Sequence, residues 1–400
     1  MRQVESRWWA ISTKRLTDNE AAHHASRMSP QQKRAEVASK IVDLDFASIE
    51  PAVGEVTNLA PGIGWTRLPL PYEPFHVNVY IFEEDEGWLV VDCGVDNEIS
   101  RNVWRRLIDG PLSQNPIRKI LVTHWHNDHL GLAGWIANET NAQVMMRQAE
   151  YFRGSLQAMK PPAVSAERER RHLLAHGTDP LQVESWLGQG FQNLSRISRA
   201  PRTYFRLDDV ESLTIGNRQF TVMTVKGHSL SGVALYCPRD NFFVCGDHLS
   251  PRLVPNVSVM SDAPDFNPHE DYIATIQTLV GTVSDDAVIL PGHEHPFTGL
   301  RATIDRIADH HTRLCNRILS AGRAGPLSAA ELIPVILRNQ PSDMWFGFVI
   351  GRVVAYVHFL ISRGWMTQVD SGPIIRFTTV RAGALVREDF GHSTGAPQAW

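Results

Sequence analysis

Residues 119–129, KILVTHWHNDH, decide how the chain reads. The stretch opens as an apolar strand, KILVT, and ends in a polar cluster. His124, His126, Asp128 and His129 lie within six residues, with Trp125 and Asn127 between them. Imidazole is seldom fully buried and a carboxylate almost never is unless paired, so this cluster at a strand end asks for a partner. Neutral imidazole plus carboxylate suits Zn2+, with iron or manganese compatible. Alternation along the loop aims His124 and His126 in one direction. Asp128 and His129, entering a helix, aim at a second point nearby. The location fits, because ligands of open α/β sheets gather at the carboxyl ends of strands.

The surroundings read as layered α/β structure. HVNVYIFEE (76–84) and GWLVVDCG (87–94) are strands joined by a turn, and a helix follows around 98–108. Residues 128–139 read as a helix and 142–147 as a strand. Strand, helix, strand in this order implies an α/β arrangement. RQFTVMTV (218–225), GVALYC (232–237), NFFVCGD (241–247) and DAVILPGH (286–293) continue the strand pattern, with a turn at 238–241 making a hairpin of the middle two. In that hairpin Cys237 lies near the turn and Cys245 away from it, so they do not oppose each other. The four cysteines show no CxxC spacing, which excludes a disulfide framework and a structural zinc knuckle. A reducing, cytoplasmic compartment is the simplest reading, and the first fifteen residues carry no apolar leader.

At 400 residues the chain is too long for a minimal domain. With 20% charged residues and a net charge of −4, neither wholesale disorder nor a polyanion partner follows from composition. Residues 1–50 read as an N-terminal extension with a helix starting at Ser29-Pro30. Residues 51–300 read as the catalytic domain, with a polar helical insertion at 148–200 that could form a lid or substrate wall. Residues 301–390 read as three helices and a hairpin, and 391–400 as a flexible tail. The apolar stretch 346–361 contains Arg352 and His358 and is too short to span a bilayer, so it reads as a buried core helix or a homodimer face.

The loop HWHNDH is similar to the motif of the metallo-β-lactamase fold superfamily, and four further matches follow the same pattern. They are Asp92 in VVDCG, His228 in VKGHSLSG, Asp247 in FFVCGDHL and His293 in ILPGHEHP. The resemblance covers 76–293 and implies a four-layer αββα sandwich. It implies one metal held by His124, His126 and His228, and a second held by Asp128, His129 and His293. Asp247 and a water-derived hydroxide would bridge the two ions, which would be Zn2+, with Mn2+ or Fe2+ as alternatives. Asp128 and Asp247 would be the catalytic carboxylates, and Asp92 would hold the His loop by hydrogen bonds. His76 and Asn78 are expected at the substrate side of the cleft. His248 and His295 lie close enough to touch the centre but are expected in ordinary hydrogen-bonded or surface roles. His310 and His311 are expected to face solvent.

Within the superfamily the chain looks most like the glyoxalase II and lactamase-B2-like branch. The features are LGLAGW after the loop, the GHS turn, PNVSV after Asp247 and a winged-helix-like C-terminal module. That resemblance implies a dinuclear hydrolase whose bridging hydroxide attacks an ester, thioester or lactone carbonyl. The alternative is a metal-dependent endoribonuclease or phosphodiesterase on single-stranded RNA. Residues 301–390 carry 11 Arg and no Lys against 7 Asp plus Glu. This balance suits an anionic small-molecule substrate such as an acyl thioester, or nucleic acid under the alternative. No aromatic-interleaved basic stripe of the strand-binding kind is present, and no membrane partner is expected.

Overall fold

Both faces of the first sheet are apolar, because it is covered on both sides. In β3 (His76–Glu84) Val77, Val79 and Ile81 pack toward the helices Glu98–Asp109 and Ala133–Thr140, while Tyr80 and Phe82 point the other way and are equally buried. The computed structural model describes residues 45–159, 163–193, 196–198, 200–369 and 372–390. The helix expected after Ser29, most of the N-terminal extension and the tail 391–400 lie outside the described residues.

The first sheet runs in chain order: β1 (Thr57–Ala60), β2 (Ile63–Pro69), β3, β4 (Gly87–Val91), β5 (Ile117–Leu121), β6 (Gln143–Met146) and β7 (Phe205–Arg206). It is mixed, antiparallel as far as β4 and parallel from there on. The second sheet contains β8 (Ser212–Ile215), β9 (Arg218–Val225), β10 (Gly232–Cys237), β11 (Phe242–Gly246) and β12 (Val288–Pro291). Its order is β12-β11-β10-β9-β8, with only β11 and β12 parallel. Phe82 meets Phe220 edge-on at 5.6 Å across the two sheets. The helix Pro268–Thr282 covers the second sheet through Tyr272, Ile276 and Leu279. Cys237 opposes Phe242, and all four cysteines are free and buried.

Beyond residue 300 come the helices Leu300–Ala324, Ala329–Ile336 and Phe346–Ser362, then the antiparallel pair β13 (Met366–Val369) and β14 (Arg376–Thr379). Ser328 and Glu331 close a capping box at the start of the second helix. The third helix is apolar nearly all round because it is buried nearly all round. It shares a core with Leu173, Val183 and Trp186 from the 148–200 region and with Val259 and Ile273. No helix among the described residues is long and apolar enough to cross a membrane.

One expectation needs correction here. His311 does not face solvent: it is 2% exposed, with Nδ1 2.7 Å from the Tyr356 hydroxyl. The buried stripe of its helix runs through Ile304, Ile307, Ala308, Leu314 and Ile318, and position 311 falls on that stripe at helical spacing. His310, one residue back, is half-buried and accepts from Arg352 at 3.0 Å.

Candidate metal centre and its cleft

The strand ends deliver the polar side chains. Asp92 follows β4 in a left-handed conformation, φ +65°. Its carboxylate accepts from the backbone N–H of Thr123 at 2.8 Å and lies 2.8 Å from Nδ1 of His129. The aspartate therefore fixes both the entry of the His loop and the direction of the His129 ring. A carboxylate on Nδ1 leaves the Nε2 lone pair free to point outward.

Three imidazole nitrogens converge at one point. Nε2 of His124 lies 2.9 Å from Nδ1 of His126, and Nε2 of His228 lies 3.2 and 3.1 Å from these two atoms. Nδ1 of His228 donates to the carbonyl of Asn256 at 2.8 Å, so its Nε2 carries no proton in the neutral ring. Bare nitrogens at such separations repel unless a cation sits among them. The edge of a tetrahedron with metal–nitrogen bonds of ~2.0–2.1 Å is about 3.3 Å.

A second group lies beside the first. Nε2 of His293 is 3.2 Å from Oδ2 of Asp128 and 3.2 Å from Oδ2 of Asp247. Nε2 of His129 is 3.3 Å from Oδ1 of Asp247. His293 is oriented like His228, with Nδ1 donating to the carbonyl of His76 at 2.8 Å. Within each group, His124–His126–His228–Asp247 and Asp128–His129–Asp247–His293, the ligand atoms lie within 4.8 Å of one another. Asp247 belongs to both. Nε2 of His129 and Oδ1 of Asp247 are buried without a hydrogen-bond partner, a costly arrangement that a shared cation would resolve. The donor set therefore fits two metal ions.

The electrostatics of the two groups differ. Burial, followed by neighbouring imidazoles, holds His124 well below the usual histidine range, and burial with His228 holds His126 down at about 3. These rings are neutral ligands. In the second group burial opposes charging, but Asp247 and Asp128 override it and push His293 up to about 10. His129 is raised well above its ordinary value by Asp247, Asp92 and Asp128 against the same burial penalty. This end of the site is short of positive charge, which a divalent ion would supply.

The structure brings together all seven residues assigned to the two metals by resemblance. His295 is turned away and pairs with Glu50 at 2.7 Å. His248 is buried but belongs to neither group. His76 and Asn78 do not line the cleft, contrary to expectation. Asn78 Oδ1 accepts from Trp65 at 3.0 Å and Arg67 at 3.1 Å, while Nδ2 donates to the carbonyls of Pro291 at 2.8 Å and Glu294 at 2.9 Å. Nε2 of His76 accepts from the backbone N–H of Glu294 at 3.0 Å. The reason is topological: β3 runs beside the 291–294 turn, so its polar residues hold the loop that carries His293.

Two buried carboxylates escape the sequence reading. Glu150 accepts from the backbone N–H of Trp125 at 2.9 Å and from that of Ser231 at 2.6 Å, tying the loop of His124 and His126 to the loop of His228. Glu294 accepts from the backbone N–H groups of Arg252 at 3.0 Å and Leu253 at 3.1 Å, shaping the segment after Asp247. The only available signal for Glu294 was its place beside His293. Glu150 gave none beyond opening a polar helix after β6.

Above the centre lies a cleft of about 340 Å3 with Asp128, Asp247, His126, His228 and His293 at its floor. Its walls are largely apolar: Tyr72, Leu253, Val254, Trp345, Phe348 and Val349. A second cavity of about 250 Å3 shares His126, His228, Asn256 and Phe348 with it and is walled by Trp125, Arg153, Met260 and Phe266. Trp345, at the N-cap of the third C-terminal helix, is followed at three- and four-residue spacing by Phe348 and Val349 and then, at the same spacings, by Arg352, so the four share one face.

Comparison with known proteins agrees with this centre. The family described as the metallo-beta-lactamase superfamily matches residues 72–293. The crystal structure of a beta-lactamase domain protein from Burkholderia ambifaria is similar with 30% identity and a TM-score of 0.77, covering 86% of this chain and 100% of that one. The Bacillus subtilis (strain 168) protein named "Probable metallo-hydrolase YqjP" is 22% identical over 337 residues, 79% of this chain and 97% of its own length. The Homo sapiens protein named acyl-coenzyme A thioesterase MBLAC2 is 23% identical over 286 residues, 65% of this chain and 88% of its own length. With the family match spanning more than half of its residues and the two ligand groups in place, the chain belongs to the metallo-beta-lactamase superfamily.

Proposed function

We propose that this chain is a binuclear metal-dependent hydrolase of an ester, thioester or lactone carbonyl, of the glyoxalase II or lactamase-B2-like branch. The observation that carries this reading is the apolar cleft opening directly onto both ligand groups. Apolar walls take up an acyl chain, and few polar groups remain to orient it. A groove for single-stranded RNA needs basic residues along the backbone and aromatic platforms for bases. Among the described residues the only charged ones lining this cleft outside the ligand groups are Glu73 and Arg352, which disfavours the endoribonuclease alternative. The human thioesterase among the relatives is consistent in reaction class.

His124, His126 and His228 would hold one ion, Asp128, His129 and His293 the other, with Asp247 shared. Zn2+ is the proposed metal and Mn2+ or Fe2+ the alternative. When bound, the ions supply Lewis acidity that ionises water near neutral pH and polarises a carbonyl. Asp247 can accept a proton there and return it to the leaving group. Asp92 keeps Nε2 of His129 aimed at the centre. Tyr72, whose hydroxyl donates to Asn127 Oδ1 at 3.2 Å, stays protonated because burial and Asp128 raise its pKa. Its single proton is committed to Asn127, so at the cleft edge it holds the His loop and presents an acceptor oxygen. The helices and hairpin after residue 300 would form the winged-helix-like module that supplies the remaining wall. The buried, free cysteines suit a reducing cytoplasm.

The test is a hydrolysis screen of metal-loaded protein on acyl-coenzyme A, glutathione thioester, lactone, aryl ester and RNA substrates. Chelator-sensitive cleavage of a carbonyl substrate is expected. Cleavage of RNA alone would overturn the proposal.

A further inference from the structure

The apolar cleft contains a cation without an anionic partner. Arg352 lines it two helical turns beyond Trp345 and is half-buried. Among the described residues no carboxylate forms an ion pair with it. Its hydrogen-bond partners are uncharged: Nε2 of His310 at 3.0 Å and the Tyr356 side chain. Burial, followed by Arg352, Arg313 and Arg306, lowers His310 to about 4, so the ring accepts as a neutral group and brings no countercharge. The other charged wall residue, Glu73, is exposed. A half-buried guanidinium with only uncharged partners keeps an unmatched charge beside the cleft, and its planar fork is suited to a carboxylate or phosphate.

The geometry has a direction. Trp345 meets Tyr72 edge-on at 5.5 Å, and Tyr72 bonds Asn127, the neighbour of Asp128. Trp345 therefore ties the start of this helix to the loop that carries Asp128. Arg352 lies seven residues on, about 10 Å along the axis. Phe348 and Val349 fill the interval.

We propose that Arg352 binds an anionic group of the substrate, separated from the scissile carbonyl by an apolar spacer lying against Trp345, Phe348 and Val349. This inference rests on the hydrolase reading and narrows its substrates to esters, thioesters or lactones with a remote oxyanion. The anion orients the carbonyl, so its capture raises turnover as well as affinity.

The experiment uses the full-length, metal-loaded protein and matched p-nitrophenyl esters, one of a monocarboxylic acid and one of the dicarboxylic acid of equal length. Wild type should prefer the ω-carboxylate ester by roughly ten- to a hundredfold in kcat/KM, the range of a charged hydrogen-bonded pair. In Arg352→Met the ratio should fall to near one, and in Arg352→Lys to an intermediate value. Equal rates in wild type, or a preference surviving in the Met variant, overturn the inference while leaving the hydrolase reading intact. Should the Met variant not fold, the wild-type ratio and the Lys variant decide. A second readout needs no catalysis: calorimetry of monomethyl adipate and methyl hexanoate with metal-free protein. Tighter binding of the adipate by wild type, lost in the variant, supports the inference even if neither aryl ester is cleaved. Equal binding by wild type overturns it.

Discussion

The buried carboxylate of Glu150 accepts the backbone N–H of Trp125 at 2.9 Å, at the residue between His124 and His126. Its other oxygen accepts from Ser231, three residues past His228. One side chain thus sets the spacing between two loops that together provide three convergent nitrogens. Glu150→Gln leaves at least one of these N–H groups facing an amide that cannot accept from both. The expected result is a drop in metal affinity at the His124–His126–His228 group of about 10- to 100-fold. The check is a competitive titration of metal binding. The metal-free melting temperature separates lost affinity from lost fold.

Two divalent ions per chain are expected after reconstitution, measured by elemental analysis. Asp247→Ala removes the side chain common to both groups, so it should lower the metal content and abolish most chelator-sensitive hydrolysis. Asp92→Asn should weaken metal binding by about 10- to 100-fold, because its amide cannot accept from both Thr123 and His129 as the carboxylate does. Its residual activity should return at saturating metal. A variant at Asp247 with two ions and full turnover would remove the shared-carboxylate reading.

Gly292 shows how closely the terminal loop approaches the centre. A Cβ at this position would lie 2.1 Å from Oδ1 of Asp247 and 2.7 Å from Cε1 of His129. Neither contact can open easily, since Oδ1 of Asp247 is buried and the buried His129 is held by Asp92. Gly292→Ala should therefore lose the metal of the Asp128–His129–His293 group while its circular dichroism remains that of wild type. Retention of both ions would show that the loop yields.

The strand pattern was legible from its apolar runs, and the cluster from His124 to His129 because it follows one such strand, where polar side chains have no packing reason to be; His228, Asp247 and His293 were legible through their match to the family motif. The walls were not. Phe348 and Val349 belong to a helix apolar nearly all round, with Trp345 at its N-cap, and hydropathy alone cannot tell the turn that lines a cavity from those that fill a core. Asn78 and His76 misled for a related reason. A polar residue in a buried strand signals a partner, but whether that partner is a ligand or the backbone of a distant loop depends on tertiary contacts. Here it is Pro291 and Glu294, more than two hundred residues away. Glu150 was one acidic residue among many until the fold put two backbone N–H groups against it.

The C-terminal helices cannot be removed cleanly. Their core includes Leu173, Trp186, Val259 and Ile273 from the preceding chain, and Leu300, Ile304 and Ile307 pack against the second sheet. A chain ending near Leu300 should expose these surfaces and aggregate. The measurement is the soluble fraction and sedimentation profile of the truncated protein. A soluble, metal-binding truncation would show that the two parts fold independently.

Phe348 lines both the apolar cleft and the second cavity beside Trp125 and Arg153. Its ring is braced at 5.5 Å by Trp186 and at 5.8 Å by Trp345, so it keeps one position rather than sweeping the space. The side chain is half-buried and belongs to neither ligand group. Phe348→Ala should cost about 1–3 kcal/mol of stability, the loss of an aromatic apolar surface, and leave the metal content at the wild-type level. Without the ring the two cavities join, and a short acyl chain loses the wall that aligns its carbonyl. For a short aryl ester the expected outcome is a raised KM and a lowered kcat, as misalignment acts on both. A bulkier or branched acyl group fills the enlarged space and should lose less, so the ratio of kcat/KM between bulky and short esters should rise. The check is a kinetic series over acyl size on wild type and variant, with metal content measured on the same samples. If both enzymes show the same acyl-size profile, Phe348 is not a wall of the acyl site, and the cleft occupied by substrate lies elsewhere around the centre.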